Sequence, residues 1–343
     1  MPVGLLSLLT ACSPGFTADQ GPWARPVGVA VEGGEEPGDD PVEQDTAALE
    51  GGDTALPLEE EGEGEADVPS PCDTWNTPTQ VGTVEDGELN EISGIVASRV
   101  QEGVIWVEED HAGASEIYAL NAAGQTLGKV ELTGATNNDW EDLAIGPCGD
   151  DQCIWIGEIG NNDLDRTTLG LYRFAEPEVD PAGGWTISVE PEWFPFVYPD
   201  GNWNAESLGV MPDGTPVVFS KEYTGEFSGV YSMDTLTPGE QATLTYRGAF
   251  ATGEEGEGSA AAATAADIWP DGGRVLLRTY GHLWEYTLGE AGLEGVEEAT
   301  RAEVPFVSER QGEAAGYDPK SLGFWQVSED PNPPIYYADC AVD

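Results

Sequence analysis

Five acids recur along the chain at the openings of apolar segments: Glu91, Glu141, Glu206, Asp267 and Glu313, between 46 and 65 residues apart. Asp139 and Asp142 flank the second of them, and Glu158 closes the apolar segment that follows. Carboxylate oxygens gathered in one place are hard ligands, the kind of donor of which Ca²⁺ takes about six to eight. Crowded together without a cation, such groups raise one another's pKa values. Two cationic side chains, Lys221 and Arg278, stand at comparable points of the pattern. Beside a bound metal they would hold a phosphate or another small anion and leave a water activated for attack. His111, one of 2 histidines, follows Glu109-Asp110 and is the candidate general base or additional ligand. The metal candidates are therefore Glu91, Asp139, Glu141, Asp142, Glu158, Glu206, Asp267 and Glu313, and the catalytic candidates His111, Lys221 and Arg278. No Gly-x-Ser-x-Gly elbow is present, which argues against an ordinary serine esterase. No glycine-rich loop follows a strand and opens a helix, so a nucleotide-phosphate cradle is absent too.

These residues act together only if the fold brings them to one place. After each acid comes an apolar segment, a turn, a second apolar segment and a third containing an aromatic. The second segments include Val104-Ile105-Trp106-Val107, Ile154-Trp155-Ile156 and Val217-Val218-Phe219, and the third include Leu171-Tyr172-Arg173-Phe174 and Leu283-Trp284-Glu285-Tyr286. β-Branched and aromatic residues dominate, and no 3.6-residue stripe runs through them. Met211-Pro212-Asp213-Gly214 and Trp269-Pro270-Asp271-Gly272 are turns, because Pro presets φ, Asp bonds its own backbone and Gly tolerates positive φ. Units of about 50 residues with several short strands each are propeller blades. The fold class is all-β, a β-propeller with five recognisable blades, a six-bladed ring being the alternative. Thr79–Glu85 is expected to close the ring by completing the blade that Glu313 opens.

In such a blade the first strand starts at one mouth of the channel and the second returns to it. Glu109-Asp110-His111, Glu158 with Asn161-Asn162-Asp163, Lys221-Glu222, Arg278-Thr279-Tyr280 and Glu329-Asp330 therefore sit beside the first-strand openings. The Pro-Asp-Gly turns face the other way. Trp106, Trp155, Trp269, Trp284 and Trp325 fall at blade positions and read as interblade packing. The run Ala260–Ala263 shows no amphipathic face and reads as a connection.

The chain of 343 residues carries 65 Asp plus Glu against 12 Lys plus Arg, a formal net charge of −53. That excess excludes unaided binding to nucleic acid or anionic lipid, both of which need clustered cations. Residues 26–71 hold no Lys or Arg, and residues 31–70 hold 15 acids. Such a segment repels itself and buries little, so residues 12–70 are expected to be a disordered acidic tether before a propeller domain at 71–343. Residues 1–11 contain one short apolar run, Val3 to Ala11, too short to span a bilayer.

That run ends in Leu9-Thr10-Ala11-Cys12, which resembles the lipobox of bacterial lipoproteins. The resemblance implies a signal cut before Cys12, lipidation of that residue, and an extracytoplasmic protein held on the periplasmic face or cell surface. Removing Cys12 leaves Cys72, Cys148, Cys153 and Cys340, an even number in an exported chain. Cys148 and Cys153 enclose a four-residue turn, where a local disulfide fits. Cys72 and Cys340 bracket the whole repeat array. Metal binding by the C-x₄-C pair is the alternative, disfavoured because no His lies nearby.

A wider resemblance rests on Asp139-Trp140-Glu141-Asp142-Leu143-Ala144, Gly157-Glu158-Ile159-Gly160-Asn161-Asn162 with Arg166, Tyr198-Pro199-Asp200-Gly201 before Ala205-Glu206, Leu277-Arg278-Thr279-Tyr280 and Gln311-Gly312-Glu313-Ala314. These phrases resemble the phytase-like ("esterase-like") secreted propellers of bacteria over roughly residues 80–340. More distantly, they resemble the six-bladed, calcium-dependent β-propeller phytases. The departures are Glu158 and Asn161, where that pattern expects Asp, and Glu108-Glu109-Asp110-His111 in place of an Asn-Asp-Ser-Gly-like stretch. Two functions follow as expectations. The first is a monomeric propeller that binds Ca²⁺ and a small anionic ligand or protein partner at its acidic mouth. The second is a calcium-dependent phosphomonoesterase at the same mouth.

Overall fold

A computed structural model describes residues 72–110 and 113–341. The signal and tether expected at 1–11 and 12–70, with Cys12, lie outside the described residues, as does His111. The β-branched and aromatic segments form five sheets. Their innermost strands are Ile92–Ala97, Trp140–Cys148, Ala205–Val210, Ala263–Ile268 and Ala314–Asp318. Each of these packs against the next, and the last against the first, so the sheets are blades of a closed five-bladed propeller.

Closure uses the N-terminal strand Thr79–Thr83, which pairs antiparallel with Pro334–Asp339 of blade five. Cys72–Cys340 and Cys148–Cys153 are both disulfides, the first joining residues 268 apart across the closing blade. The Cys148–Cys153 bridge spans the turn between two paired strands of blade two.

The core is divided among the blade interfaces. One cluster between blades one and two holds Trp106, Trp140 and Ile156; the next holds Trp155, Phe194, Leu208 and Tyr231. Between blades three and four lie Phe219, Phe250 and Tyr286, and between four and five Trp269, Tyr317 and Phe324. The fifth joins Ile95 and Val107 of blade one to Ala314 and Val327 of blade five. Strand alternation explains this division, since successive side chains point to opposite faces and each face meets a neighbouring blade. Trp106, Trp140, Trp155 and Trp269 are fully buried, each worth about 3–5 kcal/mol against truncation to alanine.

Two features go beyond the repeat pattern. Trp185–Val189, from the chain of blade two, crosses to pair parallel with Thr126–Leu132 of blade one. Gly128 permits it, because a Cβ there would lie 2.2 Å from the Trp185 ring. Ala242–Thr243 likewise crosses to cover the outer strand Glu192–Val197 of blade two. Both straps cover strand edges that would otherwise template association. The Ala260–Ala263 region is less uniform than a plain connection: Gly258–Ala261 makes a turn of 3₁₀ helix, and Ala263 already begins the inner strand of blade four.

Candidate functional site

Four of the five inner strands are irregular at one level. Register shifts fall between Ile92 and Gly94, Trp140 and Leu143, Ala205 and Ser207, and Ala263 and Ala265. The strand Ala314–Asp318 pairs regularly. A bulge adds residues to one strand and re-aims side chains. Here the residues within the bulges are Ser93, Glu141 with Asp142, Glu206 and Thr264. Glu141 and Glu206 are thereby equivalent. Asp267, expected as their blade-four counterpart, is not: Thr264 holds that place, and Asp267 lies three residues deeper.

Several candidate ligands serve as ties between blades. The buried Asp142 carboxylate accepts hydrogen bonds from the Leu143 and Leu208 N–H groups at 2.8 Å and from Ala266 at 3.1 Å, linking blades two, three and four. Burial pushes its pKa up, and those three donors oppose the rise. Asp267 accepts from the backbone of Ile268 at 2.8 Å and Tyr317 at 2.9 Å, and pairs with Arg99 at 3.5 Å. Glu158 pairs with Arg166 and accepts from the Asn138 N–H at 3.0 Å. Arg278, expected to face an anion, is 1% exposed. Its guanidinium donates to the Ala314 and Val327 carbonyls at 2.8 and 3.0 Å and to Glu309 at 2.7 Å, binding blade four to blade five.

The second-strand exits do meet the first-strand openings. Lys221 pairs with Glu206 and donates to the Tyr280 hydroxyl at 3.0 Å, and Tyr280 donates to Glu313 at 2.7 Å. The chain Glu206–Lys221–Tyr280–Glu313 thus runs across blades three, four and five. Burial alone would lower the Lys221 pKa, but Glu206 and Tyr280 outweigh it and hold the ammonium charged. Glu206 is pushed up to about 7 by burial, with Lys221 pulling the other way.

Beyond Glu313, oxygens of Asp110, Glu313 and Glu329 all lie within 4.8 Å of one another. Burial pushes Glu329 up to about 9, and the neighbouring carboxylates Glu313, Asp110 and Glu91 add to the rise. On the other side of the mouth Glu141 is 3% exposed, and no hydrogen-bond donor reaches its carboxylate among the described residues. Burial first, then Glu206 and Asp139, raises it well above the usual carboxylate range. Glu108, just below, is fully buried, and neither of its oxygens has a hydrogen-bond partner among the described residues.

Of the ligands expected from sequence, Glu313, Glu141, Glu206 and Asp139 thus border the mouth, and Glu91 lies close enough to act on Glu329. Asp142, Asp267 and Glu158 are engaged in the scaffold. Asp110 and Glu329 stand among the strand exits of the sequence pattern, but of those exits the expected ligand set includes only Glu158.

No protein family matches this chain, and no curated protein does. Solved structures do match, among them the crystal structure of Chaetomium thermophilum Raptor, at 14% identity and a TM-score of 0.38. That match covers 79% of this chain and 30% of the Raptor chain, so this chain spans less than a third of that protein's length. At such values the likeness carries no functional argument, and the fold rests on the five sheets themselves. The chain is a five-bladed, all-β propeller.

Proposed function

We propose that this propeller binds a divalent cation, Ca²⁺ by the chemistry of its ligands, and through it a ligand or partner at the acidic channel mouth. The observation that carries the reading is the meeting of Asp110, Glu313 and Glu329, from blades one and five, within 4.8 Å. Three oxygens so spaced lie within about 2.8 Å of a common point, close to calcium–oxygen bond lengths of about 2.3–2.6 Å. All three donors are hard carboxylate oxygens. The pKa of Glu329 is raised by burial first, and the neighbouring carboxylates add to the rise.

The phosphomonoesterase reading is weaker. Lys221 and Arg278, the cations proposed to hold a phosphate, are both committed to carboxylates and nearly buried. The phytase-like kinship rests on the motif phrases alone. The two disulfides support an oxidising compartment, and with the lipobox at Cys12 they support a lipid-anchored, extracytoplasmic protein.

Calorimetric titration of the protein with Ca²⁺ and with Mg²⁺ tests the central claim. Ca²⁺ should bind more tightly, and Asp110→Asn with Glu329→Gln should remove that tight binding. Equal heats for the variant and the wild type would refute the site.

A further inference from the structure

The inner half of the mouth is built around an ammonium group. Lys221 is 6% exposed and bonded to Glu206 and to the Tyr280 hydroxyl, with the Tyr280 ring 4.8 Å from its nitrogen. Two further carboxylates crowd the same place. Glu141 feels both Glu206 and Lys221, and Asp139 feels Arg166 first and Lys221 as well. Glu141 Oε1 lies 2.1 Å, and Asp139 Oδ2 2.4 Å, from the point a Cβ on Gly160 would occupy, so these two carboxylates share one cradle that only glycine leaves open.

Independent of that clustering, Glu141 is almost wholly buried with no donor on its carboxylate among the described residues. Burying a charge without a partner is costly, and natural folds rarely leave it so. Asp139 also pairs with Arg166 at 3.7 Å, but Arg166 is shared with Glu158, so two cations face four acids and do not neutralise them. The Lys221 ammonium carries a single charge and three N–H groups, and two of its bonds already go to Glu206 and Tyr280. A divalent ion, with twice the charge and room for more oxygens, matches this donor set better.

We propose that the Lys221 ammonium is a built-in cation standing where a second divalent ion would otherwise bind, among Asp139, Glu141 and Glu206. The mouth therefore takes one exchangeable ion, at Asp110, Glu313 and Glu329, and Lys221 fixes that number. The hydrogen bonds from Lys221 through Tyr280 to Glu313 place the fixed cation and the exchangeable one in a single network. The inference rests on the cation reading given above for the outer half, but its own test separates the two.

The test counts tightly held Ca²⁺ per chain by equilibrium dialysis against a weak chelator, which suppresses loose binding elsewhere in this acidic protein. Wild type should hold one ion, Lys221→Met two, and Lys221→Met with Glu141→Gln one again. One ion in both wild type and Lys221→Met overturns the inference while leaving the outer site standing. No ion in wild type but one in Lys221→Met supports the inference and refutes the outer site; none in either refutes both. If Lys221→Met is unfolded in chelator, Ca²⁺ should restore its circular dichroism and its melting transition. Failure of Ca²⁺ to do so would overturn the inference as well.

Discussion

Substituting alanine for Asp142 leaves three buried backbone N–H groups without their acceptor, those of Leu143, Leu208 and Ala266. These groups belong to the inner strands of three blades, so one side chain ties together three parts of the ring. Each orphaned donor costs about 1–3 kcal/mol, which gives about 3–9 kcal/mol before any water enters the space left behind. Against a typical net stability of about 5–15 kcal/mol that is a large share. Asparagine is the informative comparison. Turned one way, its single carbonyl oxygen serves Leu208 and Ala266, while the Leu143 N–H and the new NH₂ are left without acceptors, so the loss falls to about 2–6 kcal/mol. Urea titration of wild type, Asp142→Ala and Asp142→Asn should show falling midpoints with similar slopes, the alanine variant suffering most. An alanine variant within about 1 kcal/mol of wild type would refute the tie. A variant with lost Ca²⁺ binding and undiminished stability would return Asp142 to the ligand set.

Glu108 predicts a pH dependence. Burial pushes its carboxyl well above the ordinary range, Asp110 and Glu109 add to the rise, and the Gly94 N–H opposes it from outside hydrogen-bond geometry. The folded state therefore holds a proton that the unfolded chain releases near pH 4.3, so its stabilising effect is full below about that pH and is lost as pH rises toward the folded pKa. Glu108→Gln stays neutral, and its stability should fall less than that of wild type between pH 5 and pH 8; identical pH profiles would count against the buried carboxyl. Gly312→Ala would place a Cβ 1.9 Å from the Arg278 guanidinium, which is packed between blades and cannot retreat. It should cost about 1–3 kcal/mol in denaturant titration, and a neutral result would mean that Arg278 is not held as described. Cys72→Ser opens the 268-residue loop closed at the propeller seam, and should lower stability by up to about 5 kcal/mol in the loop-entropy account. Wild-type melting that is insensitive to reducing agent would contradict that contribution.

The architecture was legible because it repeats. Five acid-led units, their Pro-Asp-Gly turns and the bracketing Cys72 and Cys340 carry the blade count and the seam in local composition alone. The level at which each acid sits was not legible. Ala265-Ala266-Asp267-Ile268 looks like Ala205-Glu206-Ser207-Leu208 in one dimension, yet the bulge in blade four falls at Thr264 and leaves Asp267 deeper in the channel. Bulges change register without a residue signature, so linear spacing misassigns side chains beyond them. The setting of Arg278 is not legible for a related reason: its charge suggests an anion site, and nothing in the linear sequence marks Gly312, Glu309 and the two carbonyls that surround it between blades. The straps Trp185–Val189 and Ala242–Thr243 depend on contacts with blades from earlier in the chain. Nothing in Trp185-Thr186-Ile187-Ser188-Val189 points to its partner in blade one.

A cation bound among Asp110, Glu313 and Glu329 relieves the crowding of their carboxylates. Ligand binding to the folded state alone stabilises it by about 2.7 kcal/mol at a hundredfold excess over the dissociation constant, or roughly 5–10 °C in melting temperature for a domain of this size. Differential scanning calorimetry of wild type and of Asp110→Asn with Glu329→Gln, each in chelator and in millimolar Ca²⁺, measures this directly. The paired variant controls for weak binding elsewhere on so acidic a chain. A cation at this site gives a clear upward shift for wild type, larger than with Mg²⁺, and little shift for the variant. A wild-type transition that Ca²⁺ does not move, or that moves equally in both proteins, would contradict it.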